Sequence, residues 1–234
     1  MLGALARLGR CLPPSWRRRL RRGILLRFPS LYATRRVQYE GSLVPDEVEA
    51  LIARLEASLD LEGDVIECGS FLCGTTVSMA RLLKMRQLPK RIYACDTFAG
   101  FDPEEIRREQ EAGDATRRHS FKETDLHYVR RKLERLGVAD RVVLVQGLFQ
   151  TTLDTLQGPF CFAFIDCDLH DSMLYAARTV WPRLSPGGCC VFDDYDNQEY
   201  RGATRAIDTF IAERREDISE HGRLLRKLYY AIKT

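Results

Sequence analysis

Five short apolar runs constrain this chain most: Asp64 to Cys68, Arg91 to Cys95, Arg141 to Val145, Phe160 to Ile165 and Cys189 to Phe192. They are rich in Val, Ile, Phe and Cys. Continuous apolar runs of this length suit strands covered on both faces. Helical periodicity is interleaved with them, at Thr75 to Leu83, Asp125 to Leu136, Ser172 to Leu184 and Ala203 to Glu213. A further helix precedes the first run, Pro45 to Asp60, with an apolar stripe of Val48, Leu51, Ile52, Leu55 and Leu59 and a proline in its first turn. This rhythm predicts an α/β fold with a mostly parallel sheet and helices on both faces. The run LLRKLYYAIK reads as a last strand or hairpin arm, and the polar stretch Phe101 to Phe121 as a loop or short helices over the active face.

The chain has 234 residues, 45% of them hydrophobic and 29% charged, enough for one sizeable core. Its net charge of +3 conceals an asymmetry, because Met1 to Tyr39 holds ten arginines and no acid. Setting those aside leaves about −7 on the remainder. We therefore divide the chain into a basic arm, 1–39, and a body, 40–234, whose charge does not suit nucleic acid. In the arm, Leu2, Leu5, Leu8 and Leu12 recur at helical spacing, but Arg7 and Arg10 interrupt a stretch too short to span a bilayer or to serve as a secretory signal. WRRRLRRGILLRF, from Trp16, suits peripheral contact with an anionic membrane, with a solvated or intersubunit helix as the plainer alternative. The eight cysteines show no paired C-x-x-C spacing and sit mostly in apolar runs, which favours a reducing, cytoplasmic setting.

Three clusters carry chemistry. In VIECGSFLCGTT, Glu67, Gly69 and Gly74 close the first strand and open a helix, where open α/β sheets bind ligands. The spacing is neither the dinucleotide fingerprint nor a P-loop. Asp96, ending the second strand, can accept hydrogen bonds from both hydroxyls of a ribose. Asp166 and Asp168 end the fourth strand while Asp193 and Asp194 end the fifth, so four carboxylates converge at the sheet's carboxyl edge. Such charges repel unless a cation sits among them, and an all-oxygen donor set favours Mg²⁺, Mn²⁺ or Ca²⁺ over zinc.

ECGSFLCGTT, the DTFAGF run from Asp96, QGLF at Gln146, IDCDLHDS, the WPRLSPGG run, FDDY and GATRAIDTF occur in order from about Val65 to Phe210. With them the chain resembles the macrocin O-methyltransferase-like (TylF/MycF-type) branch of class I S-adenosylmethionine (SAM)-dependent methyltransferases. The resemblance implies a Rossmann-like, seven-stranded sheet and a metal held by Asp166, Asp193 and Asp194. It further implies SAM bound around Glu67, Gly69, Ser70, Gly74, Thr75, Asp96, Gln146, Gly147 and Asp168. Its members methylate sugar hydroxyls on macrolides and related glycosides. Here His170 stands where an aromatic Tyr is common, and Asp171 where Glu is common.

The expected chemistry is an in-line methyl transfer to a hydroxyl of a sugar or glycosylated natural product, with a metal lowering the hydroxyl's pKa. Asp166 is the first candidate for the base and His170 the second. The acceptor pocket is expected to draw on Phe101 to Phe121, the arm and the segment Tyr195 to Arg201. A nucleotide-binding, NAD-type oxidoreductase would account for the glycine loop and Asp96 alone, and a catechol-like acceptor or a homo-oligomer stays open.

Overall fold

A computed structural model describes residues 13–116 and 121–234. Leu2 to Leu12, with Cys11, lie outside the described residues. The seven strands are β1 Asp64–Cys68, β2 Ile92–Asp96, β3 Val142–Gln146, β4 Phe160–Ile165, β5 Leu184–Phe192, β6 Ile218–Leu225 and β7 Leu228–Lys233. They form one sheet in the order β3-β2-β1-β4-β5-β7-β6. β1 to β5 pair in parallel, and β7 runs antiparallel between β5 and β6. The order reverses beside β1, which places a ligand-binding crevice at the carboxyl edge.

The principal helices are α1 Pro14–Arg27, α2 Pro45–Ser58, α3 Gly74–Met85, α4 Pro103–Ala112, α5 Leu126–Arg135, α6 His170–Val180 and α7 Arg201–Glu213. Strand periodicity sorts the core into two layers. Val65, Phe162, Phe164 and Val191 face α2, α3 and α5, whereas Ile66, Ala163, Ile165 and Phe192 face α6 and α7. The seven described cysteines are free and buried within these layers.

Two elements differ from expectation. β5 begins at Leu184, because a register irregularity lets Phe160 pair with Leu184 and carries Ser185 to Gly188 within the strand. The preceding helix stops at Val180 and tightens into a 3₁₀ turn over Trp181–Arg183. The tail closes as a full β6–β7 hairpin.

The arm's described part packs on the body. Leu25, Leu26 and Tyr32 are buried. The Tyr32 and Tyr128 hydroxyls meet at 2.8 Å, and Tyr128 donates to the Glu40 carboxylate at 2.6 Å. Lys132, fully buried, donates to the carbonyls of Tyr39 and Leu72, the latter at 2.6 Å, and lies 3.5 Å from Glu40. A single ammonium thereby joins the end of the arm to the loop after β1. Burial lowers its pKa to about 8, against the pull of Glu40.

Candidate active site

The loop from β1 to α3 is built on one glycine. Gly69 has φ +90°, and a Cβ there would lie 1.8 Å from the Asp166 carbonyl oxygen. No other residue allows the loops after β1 and β4 to touch backbone to backbone. Beneath this loop Glu67 accepts a hydrogen bond from the Thr76 hydroxyl, and burial raises its pKa to about 8. Above it the Asp96 carboxylate accepts from the backbone N–H of Phe71 at 2.8 Å and of Phe98 at 2.7 Å. Burial raises the Asp96 pKa in spite of these donors. Asp96 therefore braces two loops at once while lining the cavity.

Across the cavity, one carboxylate oxygen each from Asp166, Asp168 and Asp194 falls within 4.8 Å of the others. Asp193 lies just behind, buried, with its Oδ1 lacking a hydrogen-bond partner. Lys227, in the β6–β7 turn, donates to Asp194 at 2.7 Å and lies 3.5 Å from Asp193. Asn197 donates to the same Asp194 oxygen at 2.5 Å. Burial, then repulsion from its neighbours, raises the pKa of Asp166, of Asp168 and of Asp193, the last to about 7. The ammonium of Lys227 is held charged by Asp193 and Asp194 although burial opposes it. An all-oxygen donor set, excess negative charge and an orphaned buried oxygen fit a hard divalent cation.

Both halves open into one cavity of about 480 Å³. Gly69, Asp96, Gly147 and the four aspartates all line it. An aromatic wall joins them: Phe71 meets Phe121 edge to face at 5.1 Å, Phe121 meets Phe101 at 5.1 Å, and Phe101 meets Tyr200 at 6.0 Å. α4 roofs this wall and is latched on two sides. Glu105 accepts from the Ser172 N–H at 2.8 Å and from its hydroxyl at 2.6 Å, and Glu109 accepts from the His170 N–H. These are orphan donors at the start of α6, satisfied by another helix's carboxylates. Beyond α4, Ala115 bridges Tyr200, and Thr116 N–H donates to the Glu199 carbonyl at 3.0 Å.

Of the residues named from sequence, Gly69, Asp96, Gly147, Asp166, Asp168, Asp193 and Asp194 line the cavity. Glu67, Ser70, Gly74 and Thr75 do not; they are buried in and under the glycine loop and shape it. Gln146 points to a neighbouring groove, its amide 3.4 Å from the Thr97 carbonyl. His170 also stands outside the cavity lining: its Nδ1 pairs with Asp171 at 2.8 Å, and Asp171 pairs with Arg108 at 2.9 Å. The segments Phe101 to Phe121 and Tyr195 to Arg201 do supply Phe101, Phe121, Asn197 and Tyr200 to the walls. Lys227 was missed. Its only signal is the register that sets Phe192 opposite Tyr229, and hence Lys227 beside Asp194.

A sequence profile described as Macrocin-O-methyltransferase (TylF) matches residues 41–220. The chain is 31% identical over 140 residues to the 8-demethyl-8-(2,3-dimethoxy-alpha-L-rhamnosyl)-tetracenomycin-C 4'-O-methyltransferase of Streptomyces olivaceus, covering 57% of this chain and 53% of that one. It is 31% identical over 144 residues to the mycinamicin III 3''-O-methyltransferase of Micromonospora griseorubida, covering 57% and 55%. The chain thus spans about half the length of the curated relatives it matches. Among solved structures, the O-methyltransferase NovP superposes with a TM-score of 0.72 at 23% identity, over 82% of this chain and 81% of that one. The calicheamicin methyltransferase CalS11 superposes with a TM-score of 0.68 at 20% identity, over 98% and 90%. The fold is that of the class I methyltransferases.

Proposed function

Because the chain belongs to the macrocin-O-methyltransferase (TylF) family, we propose that it transfers the methyl group of SAM to a hydroxyl of a sugar or glycosylated natural product, with a divalent cation among its aspartates. One observation carries this reading: the glycine loop with Asp96 and the aspartate cluster line a single aromatic-walled cavity. A donor seated at one end and an acceptor at the other would meet in line.

SAM supplies an electrophilic methyl on a sulfonium. Gly69 leaves room for it along the backbone, Asp96 is placed to accept from its ribose hydroxyls, and Gly147 closes the same end. A bound Mg²⁺ or Mn²⁺ would lower the pKa of the acceptor hydroxyl. Asp166, Asp193 and Asp194 would hold that ion, the orphaned Asp193 oxygen serving as one donor. A carboxylate committed to a dication loses its basicity, so the proton goes elsewhere. Asp168, half-buried on the cavity, is the carboxylate that the family's ligand set leaves over, although its oxygen gathers with those of Asp166 and Asp194. His170, tied to Asp171, is replaced by Asp168 in this role. The wall of Phe71, Phe121, Phe101 and Tyr200 offers apolar faces against which a glycosylated polycycle or sugar ring can stack while water is excluded.

The test is incubation of the full chain with methyl-labelled SAM, Mg²⁺ and a panel of glycosides, catechols and lipid-linked sugars. Transfer to a glycoside, abolished by EDTA and lowered roughly a hundredfold or more by Asp194→Ala, is expected. SAM affinity is expected to persist in that variant. Full activity in EDTA would leave a general-base methyltransferase, and transfer to catechols alone would overturn the acceptor class.

A further inference from the structure

α1 and α5 form the two walls of an open groove of about 800 Å³ lined by Arg18, Arg19, Arg22, Arg27, Arg131 and Arg135. Its one acid among the described residues, Asp125, is already paired with Arg22 at 3.7 Å and caps α5 by accepting from the Tyr128 N–H. Guanidinium groups on two separate helices therefore face one space with little to neutralise them. Among the described residues, the pair with Asp125 and the contacts of Arg22 with the Glu123 carbonyl and the Tyr128 ring account for Arg22 alone.

α1 has a second unusual face. Trp16, Leu20, Gly23 and Arg27 follow one another at spacings of four, three and four, which sets them along one ridge of the helix. Leu25 and Leu26 point into the body instead. Trp16 is 63% exposed and Leu20 48%, and Phe28, just past the helix, is 51% exposed. Gly23 and Arg27 belong to both the ridge and the groove. Apolar side chains in water thus border a concentration of fixed positive charge.

From this pairing we propose that α1 and the groove beside it seat the protein on an anionic lipid surface, with Trp16, Leu20 and Phe28 entering the headgroup layer and the arginines meeting lipid phosphates. Charge complementarity selects this occupant. A nucleic acid or a soluble polyphosphate would engage the arginines and leave the ridge in water. A second copy could cover Trp16 and Leu20 but would leave the arginines of the groove without a countercharge. Only an anionic bilayer satisfies both faces together.

The experiment is co-sedimentation of the full chain with phosphatidylcholine vesicles and with vesicles containing phosphatidylglycerol. Parallel titrations use inorganic polyphosphate and a single-stranded RNA, and sedimentation velocity reports self-association. Binding to the anionic vesicles alone is expected, falling with salt. Trp16→Ser/Leu20→Ser and Arg131→Ala/Arg135→Ala should each weaken it, the latter by roughly fivefold per arginine removed, with melting temperatures unchanged. No binding to anionic vesicles overturns the proposal. So does undiminished vesicle binding by the ridge variant with polyphosphate or RNA bound as tightly, which would make the groove a soluble polyanion site. A dimer that the ridge variant dissociates overturns it too, by assigning the face to a second copy. Failure of any methyl-transfer assay bears on none of these outcomes.

Discussion

Gly69 and Lys227 set the limits of the site from opposite sides. With φ +90° and the Asp166 carbonyl against its missing side chain, Gly69 tolerates no Cβ. Gly69→Ala should cost at least the ~1–3 kcal/mol of a strained backbone residue, plus whatever the two loops lose by separating. It should abolish SAM binding measured by calorimetry and lower the melting temperature; a variant that binds SAM normally would show that the loops need not touch. Lys227 bears on the aspartates. From sequence alone, four carboxylates without a metal should repel and loosen the site, but the structure answers that charge with an ammonium 2.7 Å from Asp194. Chelation should therefore shift the melting temperature of the wild type only slightly. In Lys227→Met the same chelation should produce a large drop, because the buried acids then have only the ion to balance them. Equal sensitivity to EDTA in both proteins would remove Lys227 from that role.

At the scale of elements, α4 is held over the cavity by carboxylates, and that makes its hold depend on pH. Burial raises the Glu109 pKa to about 7, above the ordinary glutamate value. A carboxyl whose pKa is raised on folding contributes stability that is fully present below its unfolded pKa and is lost as pH rises through the folded value. The latch should therefore weaken between roughly pH 4.3 and 7. Glu109→Gln keeps an oxygen for the His170 N–H without the charge, so its advantage in melting temperature over wild type should grow across that window. A constant difference from acid to neutral pH would refute the mechanism. The latch also shows why some elements were legible in sequence and others were not. β1 and β4 were read to the residue, because apolar runs bounded by Asp, Gly and Pro state their own limits. The convergence of aspartates at the carboxyl edge was legible because parallel neighbours end together, but the oxygens that gather are those of Asp166, Asp168 and Asp194 rather than the expected set with Asp193. α4 was legible only as a loop or short helix over the active face, since its ten residues are mostly charged and its two buried glutamates make sense only once α6 lies beside them. The approach of Lys227 to Asp194 and the place of His170 outside the cavity lining likewise depend on strand register and side-chain direction, which periodicity does not carry.

For the whole molecule, the arm joins the sheet's helical layer through Tyr32, Tyr128, Glu40 and Lys132, so the basic segment and the glycine loop share one buried polar network. No helix among the described residues is long and apolar enough to cross a membrane. The same core holds a silent set of reporters. Seven free thiols lie in its two layers, Cys73, Cys161 and Cys189 in the one that includes α2 and Cys68, Cys95, Cys167 and Cys190 in the one that includes α6 and α7. Burial also raises the pKa of Cys189 to about 12 and that of Cys190 well above its ordinary value, so neither thiol is nucleophilic at neutral pH. With Cys11 changed to Ser, a colourimetric disulfide reagent should react with none of them until the surrounding layer opens, and mass spectrometry should then return a separate rate for each. Prompt labelling of any of the seven in the native state would show that layer to be open already. Otherwise the protein carries its own clock, one that times the parting of either face of the sheet without a foreign probe.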